Sequence, residues 1–196
     1  MKHNRRLIHP ATLIIVLAIT GITCLFLAMV AAYLYERISR GNEPVQVPGL
    51  FYFNTLLILS ASISLHYAKQ RFEDDETVML KTALWVTLGL TLTFMFLQAE
   101  AFRQLAADNI RPDAGNLAAF IYLITGFHFV HLAGGLPFLI KFIYKAYRQC
   151  RDHVAELMFF SDPDNQRFLR LLNLYWHYLG GLWVVLLAFF LLNHMV

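Results

Sequence analysis

Thr125-Gly126-Phe127-His128-Phe129-Val130-His131-Leu132-Ala133-Gly134-Gly135 sits in the middle of an apolar run over residues 117–144. About 20 mainly apolar residues suffice for a helix to cross the hydrocarbon core of a bilayer, so this run reads as a membrane span. Its histidines are then the informative residues, because polar side chains are expensive in hydrocarbon and need partners or a purpose. A second stretch has the same character. Tyr175-Trp176-His177-Tyr178-Leu179-Gly180-Gly181-Leu182-Trp183 lies inside an apolar run over residues 170–194. Working outward, three more runs qualify, at about 11–35, 49–68 and 79–102. The expected fold class is an all-α membrane protein, a bundle of five transmembrane helices forming a single domain over residues 1–196.

The bulk composition agrees. Hydrophobic residues make up 58% of the 196 and charged residues 15%, and mean hydropathy is positive, which excludes a disordered chain and argues against an ordinary soluble domain. The charges sit in blocks between the runs. Stop signals fill each gap: Arg40-Gly41-Asn42 with Pro44 and Pro48, the acidic Glu73-Asp74-Asp75-Glu76, Asn109 to Asn116 with Pro112, and a loop from Arg148 to Arg167. Prolines are expected in loops, except Pro137, which should kink or bend the fourth span. Met1 to Arg6 is basic, but the following run is too long for a signal peptide. Cys24 and Cys150 fall in unlike surroundings and are not expected to pair, and no zinc spacing exists. A net charge of +3 needs no nucleic acid to explain it, because the basic residues flank helices.

Orientation follows from Lys and Arg. Twelve fall on one side: Lys2, Arg5, Arg6, Lys69, Arg71, Lys81, Lys141, Lys145, Arg148, Arg151, Arg167 and Arg170. Four fall on the other: Arg37, Arg40, Arg103 and Arg111. The positive-inside rule therefore predicts a cytoplasmic N-terminus and a periplasmic C-terminus.

His128 and His131 are three residues apart, on nearly one helix face. At 1.5 Å per residue, His131 and His177 both fall roughly 10–14 Å in from the basic side. Two histidines at one depth on different helices could clamp a haem. They could equally be buried rings satisfied by neighbours, or hold a lipid headgroup. A haem-binding bundle usually offers a second pair, and none is evident, so the structural reading is favoured. Trp176, Trp183, Tyr175 and Tyr178 form either an aromatic surface against lipid or another subunit, or part of an interfacial aromatic belt.

Glu100 is the only carboxylate expected inside a span, close to Gln98. It reads as a proton-relay acid, a subunit contact, or a carboxylate paired with Arg103 at the interface, the last being favoured. Asn54 and Thr55 could hydrogen-bond between helices or cap backbone. Gly134, Gly135, Gly180 and Gly181 would let helices approach closely, so the fourth and fifth spans are expected to be neighbours. No metal cluster, phosphate loop or nucleophile set appears, so no catalytic residue is assigned.

Four of these stretches, in order, resemble cytochrome c oxidase subunit III. They are Asn54-Thr55-Leu56-Leu57-Ile58-Leu59-Ser60-Ala61; Gly89, Phe94 and Gln98; Thr125 to Gly135; and Tyr175 to Trp183. Five spans look like the short bacterial form, without the first two helices of the long form and hence with an incomplete lipid-filled cleft. The family often carries a buried carboxylate in the span corresponding to the first one here, and Asp in the last motif. This chain has Ile22 and Thr23 in the first place and Gly180 in the second, which weakens any proton-handling role.

The resemblance implies a non-catalytic subunit of a proton-pumping terminal oxidase in the bacterial inner membrane. Haems and copper would reside in subunits I and II, and this chain would bind no cofactor or metal. It would pack on subunit I, bind phospholipid through the region of His128, His131, Tyr175, Trp176 and His177, and belong to a larger respiratory supercomplex where one forms. Asn54, Thr55, Gln98 and Glu100 are candidate polar or subunit contacts. The subunit-I interface is expected on the first and second spans and not on the fifth, with Asn54, Thr55, Ser60 and Ser62 beside Ala31 and Ala32. Ala61 and Ser62 are the positions where a bulky side chain should detach the subunit. The related subunits of quinol oxidases and nitric oxide reductases, and a small haem b membrane cytochrome, remain alternatives.

Overall fold

The computed structural model describes residues 9–41, 48–110, 116–150 and 152–195. They form six helices: α1 (Pro10–Arg40), α2 (Leu50–Glu73), α3 (Thr77–Ala107), α4 (Asn116–Gln149), α5 (His153–Ser161) and α6 (Pro163–Met195). All except α5 are long and apolar enough to span a membrane. Each of these five outruns its apolar stretch at one or both ends, because good helix formers continue past the hydrocarbon until a cap stops them. The expected loop residues Asn42, Pro44 and Pro112, and the basic residues Lys2, Arg5, Arg6, Arg111 and Arg151, lie outside the described residues.

The helix ends show why the chain breaks where it does. Proline lacks an N–H and has a helix-ready φ, so it suits the first helical position. Pro10 and Pro163 take that place in α1 and α6, rather than the loops expected of them. The His9 side chain accepts from the Ala11 N–H at 3.3 Å, and Asp162 Oδ1 accepts from the Asp164 N–H at 2.9 Å. Gly41 ends α1 at φ 62°, in the left-handed region that favours glycine. The acidic run makes a tight turn between α2 and α3, with Asp75 at φ 58°. Arg71 holds that turn by bridging Asp74 at 3.0 Å and Glu76 at 3.1 Å. α4 runs through Pro137 as one helix.

The segment from Arg148 to Arg167 is not the plain loop expected. It contains α5, whose Phe159 is buried against Phe72, Phe142 and Phe160. Nine residues are too few to span, so a hydropathy reading passes over this helix, yet its buried ring anchors the α4–α6 connection. Cys24 and Cys150 are both free, and burial pushes the Cys150 thiol pKa up against the pull of Lys81.

The spans close a ring in the order α1, α4, α3, α2, α6, with α4 also packed on α6 across it. α2 and α3 form the most extensive pair. One apolar core joins α2, α3, α4, α5 and α6 and includes Leu84, Phe94, Trp176 and Trp183. A second joins α1 to α4 and α6 through Phe26, Tyr33, Ile124 and Phe190. Buried threonines satisfy themselves on their own helices: Thr87 donates to the Ala83 carbonyl at 2.9 Å and Thr125 to that of Ile121 at 2.6 Å. The antiparallel order gathers Lys69, Arg71, Lys81, Lys141, Lys145, Arg148, Arg167 and Arg170 at one end, hereafter the basic end. It leaves Arg37, Arg40 and Arg103 at the other.

Candidate functional site

Three places within the spans gather polar residues singled out by the sequence. The first lies between α2, α3 and α6. The Asn54 side-chain amide donates to Gln98 Oε1 at 2.9 Å, both residues being fully buried. Thr55 donates to the Phe51 carbonyl at 2.8 Å and accepts from Trp183 Nε1 at 3.0 Å. His128 completes the cluster as an aromatic ring, 5.0 Å from Trp183 and 6.1 Å from Phe94 between ring centres. Neither of its nitrogens has a hydrogen-bond partner among the described residues. Asn54, Thr55 and Gln98 thus join helices of this chain, Asn54 and Gln98 being fully buried within it.

The Asn54–Gln98 pair makes a sharp test of that role. Asn54→Leu strands the Gln98 amide in the core and is expected to cost about 1–3 kcal/mol. The Asn54→Leu, Gln98→Leu double variant removes both polar groups and should melt closer to wild type than either single variant. Strictly additive melting shifts would refute the coupling.

The second place is a groove between α1, α4 and α6 in their basic halves. It holds about 640 Å³ and is walled by Ile14, Ala18, Gly21, His131, Gly134 and Phe138, among other apolar residues. His131 Nδ1 lies 2.7 Å from the Phe127 carbonyl oxygen. A carbonyl only accepts, so Nδ1 carries a proton. The ring packs 6.0 Å from Phe26 of α1. Tyr175 donates to the His131 carbonyl at 2.8 Å. Behind it, Gly135 lets α4 touch α6: a Cβ there would stand 2.9 Å from the Tyr175 ring and 3.0 Å from that of Trp176. The expected contact of the fourth and fifth spans is made by this glycine, whereas Gly180 faces Ile58 and Ser62 of α2.

The third place is the outer face of α2 and α6. The Ser62 hydroxyl is hydrogen-bonded to His177 Nδ1. His66, a turn along α2, lies tilted by 33° against His177, with 5.6 Å between ring centres. Sequence reasoning missed His66, although a histidine inside an apolar run was the very signal used for the others.

These positions bear on several expectations. His131 faces α1 and His177 faces α2, so the two rings are not brought together as a haem clamp requires. Trp176 and Trp183 are at most 1% exposed. They belong to the core rather than to an aromatic surface or belt, and Trp176 donates to Thr91 Oγ1 at 3.3 Å. Glu100 pairs with Arg103 at 3.3 Å on the surface, which is the favoured reading. Ala61 and Ser62 are buried inside the chain, so they cannot belong to the subunit-I interface expected there. Sequence reasoning also missed a clamp at the far end of α1 and α6. There the Asn193 amide donates to the Tyr33 hydroxyl at 2.8 Å and Arg37 donates to Asn193 Oδ1.

Comparison with known proteins agrees with the resemblance. The family described as cytochrome c oxidase subunit III matches residues 13–193. A protein of Buchnera aphidicola named cytochrome bo(3) ubiquinol oxidase subunit 3 is 23% identical over 147 residues, 74% of this chain and 71% of its own length. A cytochrome c oxidase subunit 3 of Thermostichus vulcanus is 22% identical over 166 residues, 83% of this chain and 77% of its own. A probable cytochrome c oxidase subunit 3 of Rickettsia conorii is 27% identical over 147 residues, 75% of this chain and 47% of its own.

Proposed function

Because the chain belongs to the cytochrome c oxidase subunit III family, we propose that it is the non-catalytic third subunit of a proton-pumping haem-copper terminal oxidase. In this reading subunits I and II carry the haems and copper, and the chain stabilises subunit I and holds phospholipid beside it. The match over residues 13–193, together with all five spans, carries the proposal. The spread of the span histidines over separate helix neighbours supports a structural rather than a ligating use of them.

The experiment is purification through this subunit, followed by an optical spectrum and donor assays. Haem-copper bands should co-purify and should survive His131→Ala unchanged. Loss of one haem in that variant would overturn the non-catalytic reading and favour a haem b cytochrome. Oxidation of reduced cytochrome c supports the first reading of the donor, and quinol oxidation the alternative that the ubiquinol oxidase relatives suggest.

The groove between α1, α4 and α6 suits an acyl chain, with the basic end beside it for an anionic headgroup. Gly134→Leu would build a side chain into the groove. Phospholipid retained by the purified complex, counted by mass spectrometry, is expected to fall by about one molecule per complex. Unchanged lipid would exclude this groove as the site.

We place the protein in the bacterial inner membrane with the basic end cytoplasmic, following the Lys and Arg asymmetry. Reporter fusions should then be active on the periplasmic side at Val196 and on the cytoplasmic side between α4 and α6. A cytoplasmic C-terminus would reverse the assignment.

A further inference from the structure

Two imidazoles stand on the outside of the bundle where lipid would otherwise touch it. His66 and His177 are both exposed, within spans α2 and α6. His177 lies about 10 Å along α6 from Arg170, and His66 stands one turn from Lys69, nearer the basic end of α2. Each ring spends one nitrogen inside the chain. His177 Nδ1 bonds to Ser62, and His66 Nε2 is 3.4 Å from Gln70 Nε2. The other nitrogen of each ring has no partner among the described residues. Asn173, one turn before His177, is buried, and its Oδ1 has no partner there either. Acyl chains offer neither donors nor acceptors, so at the depth of His177 and Asn173 a lipid-facing wall of this kind is unfavourable.

The backbone beside the imidazoles is open to close approach. Gly181 follows His177 by one turn, and a Cβ at Gly181 would meet nothing within 4 Å. Ala188 is exposed one heptad further on. A small residue beside exposed polar groups is what a transmembrane helix needs in order to pack closely and hydrogen-bond there.

Resting on the family reading above, we propose that the outer face of α2 and α6 at His66, His177 and Gly181 seats a transmembrane helix of a partner oxidase subunit. That helix presents a hydrogen-bonding side chain to the two imidazoles. This moves the interface from the α1 and α2 residues expected from sequence to a seam shared by α2 and the last span.

The test uses the complex in native membranes, with a photoreactive benzoylphenylalanine at position 181 and, as a control, at Gly89 on the exposed side of α3, where a Cβ also meets nothing. Position 181 should cross-link to another oxidase subunit, and position 89 should not. Cross-links from 181 to lipid alone, or to a second copy of this chain, would overturn the inference. In parallel, Gly181→Trp should lower the recovered partner at least about tenfold, near 1.4 kcal/mol, while Gly89→Trp leaves it close to wild type. Because neither glycine has a neighbour to clash with, both variants should insert and accumulate normally, and equal recovery from both would also refute the seat. If the unmodified chain brings down no haem-copper subunit, the family reading fails and this inference with it. If it does and position 181 finds only lipid, this inference alone fails.

Discussion

Gly135→Leu is expected to destabilise the subunit by about 3 kcal/mol, the upper end of overpacking in a well-filled core. Gly134→Leu, at the adjacent position, should stay within about 0.5 kcal/mol of wild type. The asymmetry comes from one residue's rotation on α4. The Cβ direction of Gly135 points at Tyr175 and Trp176 at 2.9–3.1 Å, closer than real Cβ contacts, whereas that of Gly134 meets nothing within 4 Å. The rings cannot retreat cheaply: Trp176 is fully buried and bonded to Thr91, and Tyr175 is bonded to the His131 carbonyl. A larger side chain must therefore push α4 away from α6 and loosen the groove they share with α1. Thermal unfolding of the two purified complexes checks this, and equal melting would show that α4 and α6 are not in close contact. Lipid loss without destabilisation at Gly134, and destabilisation at Gly135, would separate the groove's two walls.

How much of this was legible follows from where each signal resides. Span number and order depend on hydropathy and loop charge, which are local, and the five apolar runs turned into five long helices. The pairing of the fourth and fifth spans was legible from Gly134-Gly135 beside the Tyr175 motif, since small residues mark close approach. What a side chain faces was not legible. In a soluble helix, polarity marks the solvent side. In a bilayer the outward face is as apolar as the core, so Leu17 is 62% exposed while Leu84 is fully buried, with no difference in kind. Helical phase is therefore lost, and Ser62 and Ala61 looked as fit for an outer interface as Ser60. For the same reason the common depth of His131 and His177 was readable, whereas their opposed directions on either side of α6 were not. α5 went unseen because it is amphipathic only through contacts such as Phe159 on Phe72, which join distant parts of the chain.

Trp183→Ala is the other substitution with a large expected effect, about 3–5 kcal/mol. Trp183 is 1% exposed and holds three helices to α6. Its ring lies 5.4 Å from Phe51 of α2, 5.3 Å from Phe94 of α3 and 5.0 Å from His128 of α4, and its Nε1 donates to Thr55. Expulsion from water contributes little in a bilayer, because lipid receives an exposed indole nearly as well as the core does. The loss is therefore one of packing: ring contacts disappear, a cavity remains, and Thr55 loses a donor. Two further variants separate these contributions. Trp183→Phe keeps a six-membered ring but loses the pyrrole part of the indole together with its N–H, so its cost should fall between those of the other two variants. Val185→Ala, on the exposed side of the same helix at 64% exposure, should be nearly neutral. The expected order of melting is Val185→Ala at wild type, then Trp183→Phe, then Trp183→Ala. Trp183→Ala and Val185→Ala melting together would mean that α6 does not turn this face inward. Because the ring is buried among helices of this chain, whatever oxidase complex still assembles with Trp183→Ala should keep its haem bands. A change in those bands would instead couple this core directly to the catalytic subunit.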